Sequence, residues 1–143
     1  MYHLSLYRLL MLLLLVLAGS ADAEQKQTLG NWDVHYIAFP STMLTPEIAT
    51  QYKLQRSKYN SIVNISVLDS TSQQAQKVAL TGQAKDLMGR QRVLEFSEVS
   101  EGDAVYYLAQ LPFSHEQRYW FTITVRRGNE QQQLKFDQVF YAD

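Results

Sequence analysis

With 143 residues, 13 basic and 14 acidic side chains, a net charge of −1 and no cysteine, the chain lacks both the basic excess that draws nucleic acid and the thiols of a disulfide scaffold. Its size gives one domain with a core sufficient to hold it folded.

The first eight residues, Met1 to Arg8, precede an apolar run from Leu9 to Ala18 and then Gly19, Ser20, Ala21, Asp22 and Ala23. As a helix rising ~1.5 Å per residue the run covers roughly 15 Å, about half a bilayer core. The layout predicts a secretory signal peptide over residues 1–23, cut after Ala23, where the small Ala21 and Ala23 suit a signal peptidase. No cysteine stands at the cut to take a lipid, so no stable membrane anchor is expected after cleavage. A cysteine-free mature chain over residues 24–143, one domain, is expected in the periplasm of a Gram-negative cell.

After a polar leader from Glu24 to Leu29, Trp32, Val34, Tyr36 and Ala38 alternate with Asp33, His35, Ile37 and Phe39, which predicts a strand ending at Pro40. Thr45, Pro46 and Glu47 form a helix start, so one or two helical turns are expected, ending near Tyr52. Period-two runs follow at Val63–Val67 and Val78–Ala84, and Met88, Gly89 and Arg90 reverse the chain into Leu94 and Phe96. Ser100 to Asp103 make another turn before Val105–Leu111. Tyr119–Val125 is the clearest strand, and Gly128 and Asn129 turn it into a last run from Leu134 to Tyr141. A change of phase between Phe136 and Val139 predicts a bulge there. Seven short strands favour a single all-β sandwich of the immunoglobulin or fibronectin type, with one short helix in the first connection; a small β-barrel is the alternative. Pro112 followed by Tyr119 fits the corner in such domains where a tyrosine hydroxyl bonds back to the upstream loop.

The mature chain offers only His35 and His115 for catalysis, with no second histidine at ligand spacing and no nucleophile elbow or phosphate loop. No catalytic residue, metal ligand or cofactor is therefore assigned, and an envelope hydrolase is only a remote reading. The connection over residues 40–59 is long for a sandwich, and long connections are often functional. Phe39, Ser41, Thr42, Arg56, Ser57 and Lys58 are its candidate binding residues, because adjacent cations and hydroxyls can grip an anion. Trp120, with Tyr106 or Tyr107, could instead stack on a sugar beside Arg56 or Lys58.

Leu44-Thr45-Pro46-Glu47-Ile48-Ala49, Arg56-Ser57-Lys58, Val63-Asn64-Ile65-Ser66-Val67, Glu101-Gly102-Asp103-Ala104, Tyr106-Tyr107-Leu108-Ala109 and the closing Phe140-Tyr141 stand in this order along the chain. This pattern resembles a family of small exported proteins of Gram-negative proteobacteria, classed only as a domain of unknown function. The resemblance implies a periplasmic protein and supplies neither catalytic residues nor a cofactor. The expected function is a non-catalytic binding module that offers the 40–59 connection to another envelope protein. A small-ligand or glycan binder is the alternative.

Overall fold

The computed structural model describes residues 25–142; the signal-peptide segment 1–23 lies outside them. Among the described residues, nine strands form two antiparallel sheets. They are β1 (Gln25–Leu29), β2 (Trp32–Pro40), β3 (Asn60–Asp69), β4 (Ala79–Asp86), β5 (Gln91–Leu94), β6 (Ser97–Glu101), β7 (Ala104–Pro112), β8 (Gln117–Arg127) and β9 (Glu130–Phe140). The first sheet has the order β1-β2-β3-β7-β6 and the second β5-β4-β8-β9. The architecture is a sandwich and not a closed barrel.

Two differences from the expected seven strands have physical reasons. The polar leader is β1, an edge strand paired from Gln25 opposite Tyr36 to Leu29 opposite Trp32. Only its Leu29 packs on the core, so it carries no apolar alternation to read. The expected run through Leu94 and Phe96 is two strands, because the chain leaves the second sheet after Leu94 and enters the first at Ser97. The expected bulge is absent as well: β8 and β9 pair without a break from Gln117 opposite Phe140 to Arg127 opposite Glu130. Leu134, Phe136, Gln138 and Phe140 share the inner face, and Val139 simply points outward.

Alternation from both sheets builds the core. Val34, Val63, Ile65 and Val67 of the first sheet meet Phe121, Ile123, Val125 and Leu134 of the second, each no more than 1% exposed. Burying each such side chain contributes about 1.5–3 kcal/mol. Aromatic rings thread the layer: Tyr36 stacks on Phe136 at 4.4 Å, Phe136 on Phe121 at 4.5 Å, and Phe113 on Phe140 at 5.2 Å. The tyrosine corner is present, with the Tyr119 hydroxyl donating to the Pro112 carbonyl at 3.0 Å. Along the open seam between the sheets, Gln27 donates to the Lys135 carbonyl at 2.9 Å and Gln138 to the Ala38 carbonyl at 2.7 Å.

The sandwich has two unlike ends. One bears the turns at Gly30 and Asn31, Ser70–Gln74, Gly102 and Asp103, and Gly128 and Asn129. It is polar and knit by carboxylates. Asp33 accepts from the Thr28 hydroxyl at 2.7 Å and the Gln73 amide at 2.9 Å, and Asp69 accepts from the backbone N–H groups of Thr71 and Ser72. The other end bears the 41–59 connection, the β4–β5 turn, residues 113–116 and the residues after Phe140. We refer to it as the loop end.

Tyr119→Phe removes the corner bond and leaves the Pro112 carbonyl without that donor, and it is expected to cost about 1–2 kcal/mol in urea denaturation with an unchanged slope. The Thr28 hydroxyl and Gln73 amide hold the Asp33 carboxyl below its ordinary value, and the Ser72 and Thr71 amides do the same for Asp69. For Asp86, burial alone would raise the value, but the Arg90 backbone and side chain and the Met88 N–H outweigh it and leave it lowered. Carboxylates lowered on folding stabilise the native state above the unfolded pKa near 4 and lose that contribution as pH falls through the folded values. Midpoints in urea are therefore expected to be level above about pH 5 and to drop below pH 4, with a shallower acid limb in Asp33→Asn.

Candidate functional site

The 41–59 connection lies on the outer face of the first sheet. That face is apolar where Ile37 and Phe39 of β2 stand beside Ile62 of β3 and Leu108 of β7, and Leu44, Ile48 and Ala49 cover it in a second small core. Ser41–Met43 makes one 3-10 turn, and a six-residue helix, α1 (Pro46–Gln51), follows. The Thr45 hydroxyl caps α1 by accepting from the Ile48 N–H at 3.3 Å, with Pro46 in the first turn. At the other end Lys53 takes the left-handed conformation at φ 56°, while Leu54 N–H donates to the Ala49 carbonyl at 2.7 Å and Lys53 N–H to that of Thr50 at 3.3 Å. This double bond is a Schellman stop, made here without glycine.

The return limb is fastened by side chains. The fully buried Ser41 hydroxyl accepts from the Ser57 N–H at 2.9 Å and donates to the Ser57 carbonyl at 3.0 Å. Arg56 donates from Nε to the Leu44 carbonyl at 2.8 Å and from Nη2 to that of Thr42 at 3.3 Å. Asn60 donates to the Gln55 carbonyl at 2.9 Å and to the Gln110 side chain at 3.1 Å, which also accepts from the Gln55 N–H at 2.9 Å. The Tyr52 hydroxyl donates to Glu101 at 2.7 Å; burial, then the Glu101 carboxylate, pushes this phenol up.

The predicted residues thus divide. Phe39, at 5% exposure, and Ser41 are interior, and Arg56 binds carbonyls of its own loop. Ser57 is half-buried, tied by its backbone to Ser41, and its hydroxyl accepts from the Tyr59 N–H at 3.1 Å. Thr42 and Lys58 are exposed and line a cleft of about 300 Å³ together with Pro40, Gln138, Val139, Phe140 and Tyr141. Met43 and Tyr59, next to them in the chain, are 46% and 50% exposed, and Tyr141 is 49% exposed. The Lys58 ammonium lies 5.2 Å from the centre of the Tyr59 ring. Trp120 is elsewhere: it stands on the outer face of the second sheet, 42% exposed, with the Arg118 guanidinium 5.9 Å from its ring and paired to Asp137. Tyr106 and Tyr107 are buried in the first sheet.

Sequence reasoning gave Met43 and Tyr141 no role at the site and counted Tyr59 only as a member of the connection. Their signal was slight, three large apolar residues beside strand ends. His115 also belongs to this end: its Nδ1 accepts from the Ala142 N–H at 3.0 Å and its ring meets Tyr141 edge-on at 5.9 Å, which pins the final residues beside the cleft.

Comparison with known proteins agrees with this fold. The model of the family described as "Domain of unknown function (DUF4426)" matches residues 26–143. The crystal structure of a DUF4426 family protein from Pseudomonas aeruginosa PAO1 is similar, with 39% identity and a TM-score of 0.74 over 84% of this chain and 96% of that one. FetP of uropathogenic Escherichia coli strain F11, expressed in the periplasm of its host, shares the fold at 9% identity and a TM-score of 0.58 over 82% of this chain and 93% of its own. A copper-bound variant of FetP gives 10% identity and a TM-score of 0.58 over 81% and 93%. No curated protein matches.

If Ser41 and Arg56 serve to hold the connection, their loss acts on folding. Ser41→Ala is expected to lower stability by about 1–3 kcal/mol and to open the 53–59 limb to limited proteolysis. Arg56→Lys should behave like Arg56→Ala in that assay, since one ammonium cannot span both carbonyls.

Proposed function

The chain belongs to the DUF4426 family, a domain of unknown function, and from the geometry of its loop end we propose a non-catalytic binding module of the periplasm. Its site is the cleft between the 41–59 connection and the end of β9, and its partner is another envelope protein. One observation carries this reading: the half-exposed Tyr141 lines a cleft together with Lys58 and Thr42, whose chain neighbours Tyr59 and Met43 are half-exposed as well, the Tyr59 ring lying 5.2 Å from the Lys58 ammonium. A half-exposed aromatic ring beside a lysine is the composition of an interface anchor, apolar in body with a charged rim. Neighbouring polar groups are already bound within the fold, Arg56 and Ser41 to backbone and His115 to Ala142, which leaves Lys58 and Thr42 as the rim's polar contacts. Export through residues 1–23 is part of the same proposal.

The glycan alternative needs Trp120 beside Arg56 or Lys58. Arg56 is engaged with carbonyls and Trp120 stands on the outer face of the second sheet, so one pocket does not collect them. Among the described residues no group of three or more His, Cys, Asp or Glu side chains could hold a metal ion, so copper binding by FetP is not carried over.

Photo-cross-linkers at Thr42 and Tyr59 are expected to capture one discrete envelope protein in living cells, and one at Gln131, near the opposite end, none. That protein, purified, should bind the wild type at least about tenfold more tightly than Lys58→Glu. Capture equal at all three positions, or binding indifferent to Lys58, would count against the cleft.

A further inference from the structure

The β4–β5 turn raises a separate question. Leu87 and Met88 are 76% and 78% exposed at its tip, although both are large and apolar. They are held out by construction. The buried Asp86 carboxylate accepts from the Met88 N–H at 2.9 Å, the Arg90 N–H at 3.0 Å and Arg90 Nε at 2.8 Å. Gly89 N–H donates to the Asp86 carbonyl at 3.0 Å, with Gly89 at φ 79°, and Asp86 N–H donates to the Arg90 carbonyl at 3.0 Å. Five bonds in five residues fix a protruding turn.

Its surroundings say what it fits. Lys85, Arg90 and Arg92 are exposed on the limbs of the hairpin, and Asp86, already paired with Arg90, is the one acid between Ala79 and Leu94. The hairpin is locally basic in a chain of net charge −1. Apolar tip first and cations behind it is the order in which a bilayer presents acyl chains and phosphates.

We propose that the β4–β5 turn docks the domain on an anionic bilayer, Leu87 and Met88 entering the interface and Lys85, Arg90 and Arg92 meeting lipid phosphates. The contact is peripheral and stands on a different element from the cleft, so either reading can fail alone. The net charge hides it, because the acids that balance these cations lie elsewhere.

The test uses residues 24–143, which hold every described strand and the stretch 26–143 that the family model matches, the domain whose fold the Pseudomonas relative shares. Sedimentation with vesicles of phosphatidylglycerol and phosphatidylethanolamine is compared with phosphatidylcholine alone. Binding is expected on the anionic vesicles, weaker by roughly tenfold on the neutral ones and by a similar factor in the pair Leu87→Ser with Met88→Ser. Both side chains are exposed, so circular dichroism should show the paired variant folded. Met88→Trp gives a second readout, a blue shift of its emission on anionic vesicles. No binding, equal binding to both vesicles, or binding unchanged in the paired variant overturns the proposal. Capture of a protein at position 88 without vesicle binding would assign the tip to a protein and overturn it too.

Discussion

The first sheet is apolar on both faces, and much of the rest of the molecule answers to that. In β2 the even residues from Trp32 to Ala38 point into the sandwich, while Ile37 and Phe39 point out beside Ile62 and Leu108. An exposed patch of this kind would cost stability and invite aggregation. The 41–59 connection is long because it must descend over that face, place Leu44, Ile48 and Ala49 on it, and return to start β3. Its length is therefore explained before any partner is invoked. What remains for recognition is the part the cover does not use.

A six-residue helix cannot hold itself together in water, since nucleation costs more than so few bonds return. Here the cost is met by the three inward side chains and by the caps at Thr45 and Lys53. The return limb has little apolar content, and polar clasps replace it: Ser41 with Ser57, Arg56 with two carbonyls, Asn60 with Gln110. Each satisfies backbone groups that an irregular segment would otherwise leave without partners. Fixed in this way, the limb holds Lys58, with the Tyr59 ring beside it, in one place on the cleft it shares with Tyr141 instead of letting it sample many, which lowers the entropy lost on binding.

Strands were legible where alternation and burial agree, as in Tyr119–Val125, and the helix was legible through Thr45-Pro46-Glu47. β1 was not, because an edge strand of Gln, Lys and Thr has no periodic apolar signal. The crossing between β5 and β6 was not, because a strand that changes sheets keeps a similar alternation on each side. Gln138 misled the phase at the end of β9 by occupying an inner position, where its amide is satisfied by the Ala38 carbonyl. At the candidate site the limit was chemical. An arginine in a loop reads the same whether its guanidinium meets a ligand's oxygen or a carbonyl of its own chain, and only coordinates separate the two for Arg56.

The contrast between the two ends gives these observations a direction. At the polar end Asp33 binds Thr28 and Gln73, Asp69 binds the backbone of Thr71 and Ser72, and Glu130 binds Asn31, so carboxylates tie the turns together. At the loop end the same framework holds Met43, Tyr59, Leu87, Met88 and Tyr141 in contact with solvent, and fixes them through Ser41, Asp86 and His115. Rigid support under exposed apolar groups runs against what folding alone would favour, since each group could gain by collapsing inward. Such a conflict between local exposure and global stability is expected where a surface serves binding. Five of the seven large apolar side chains exposed among the described residues stand at this end, Val93 and Trp120 on the second sheet being the others, so the conflict is concentrated where the loop end is most rigidly built.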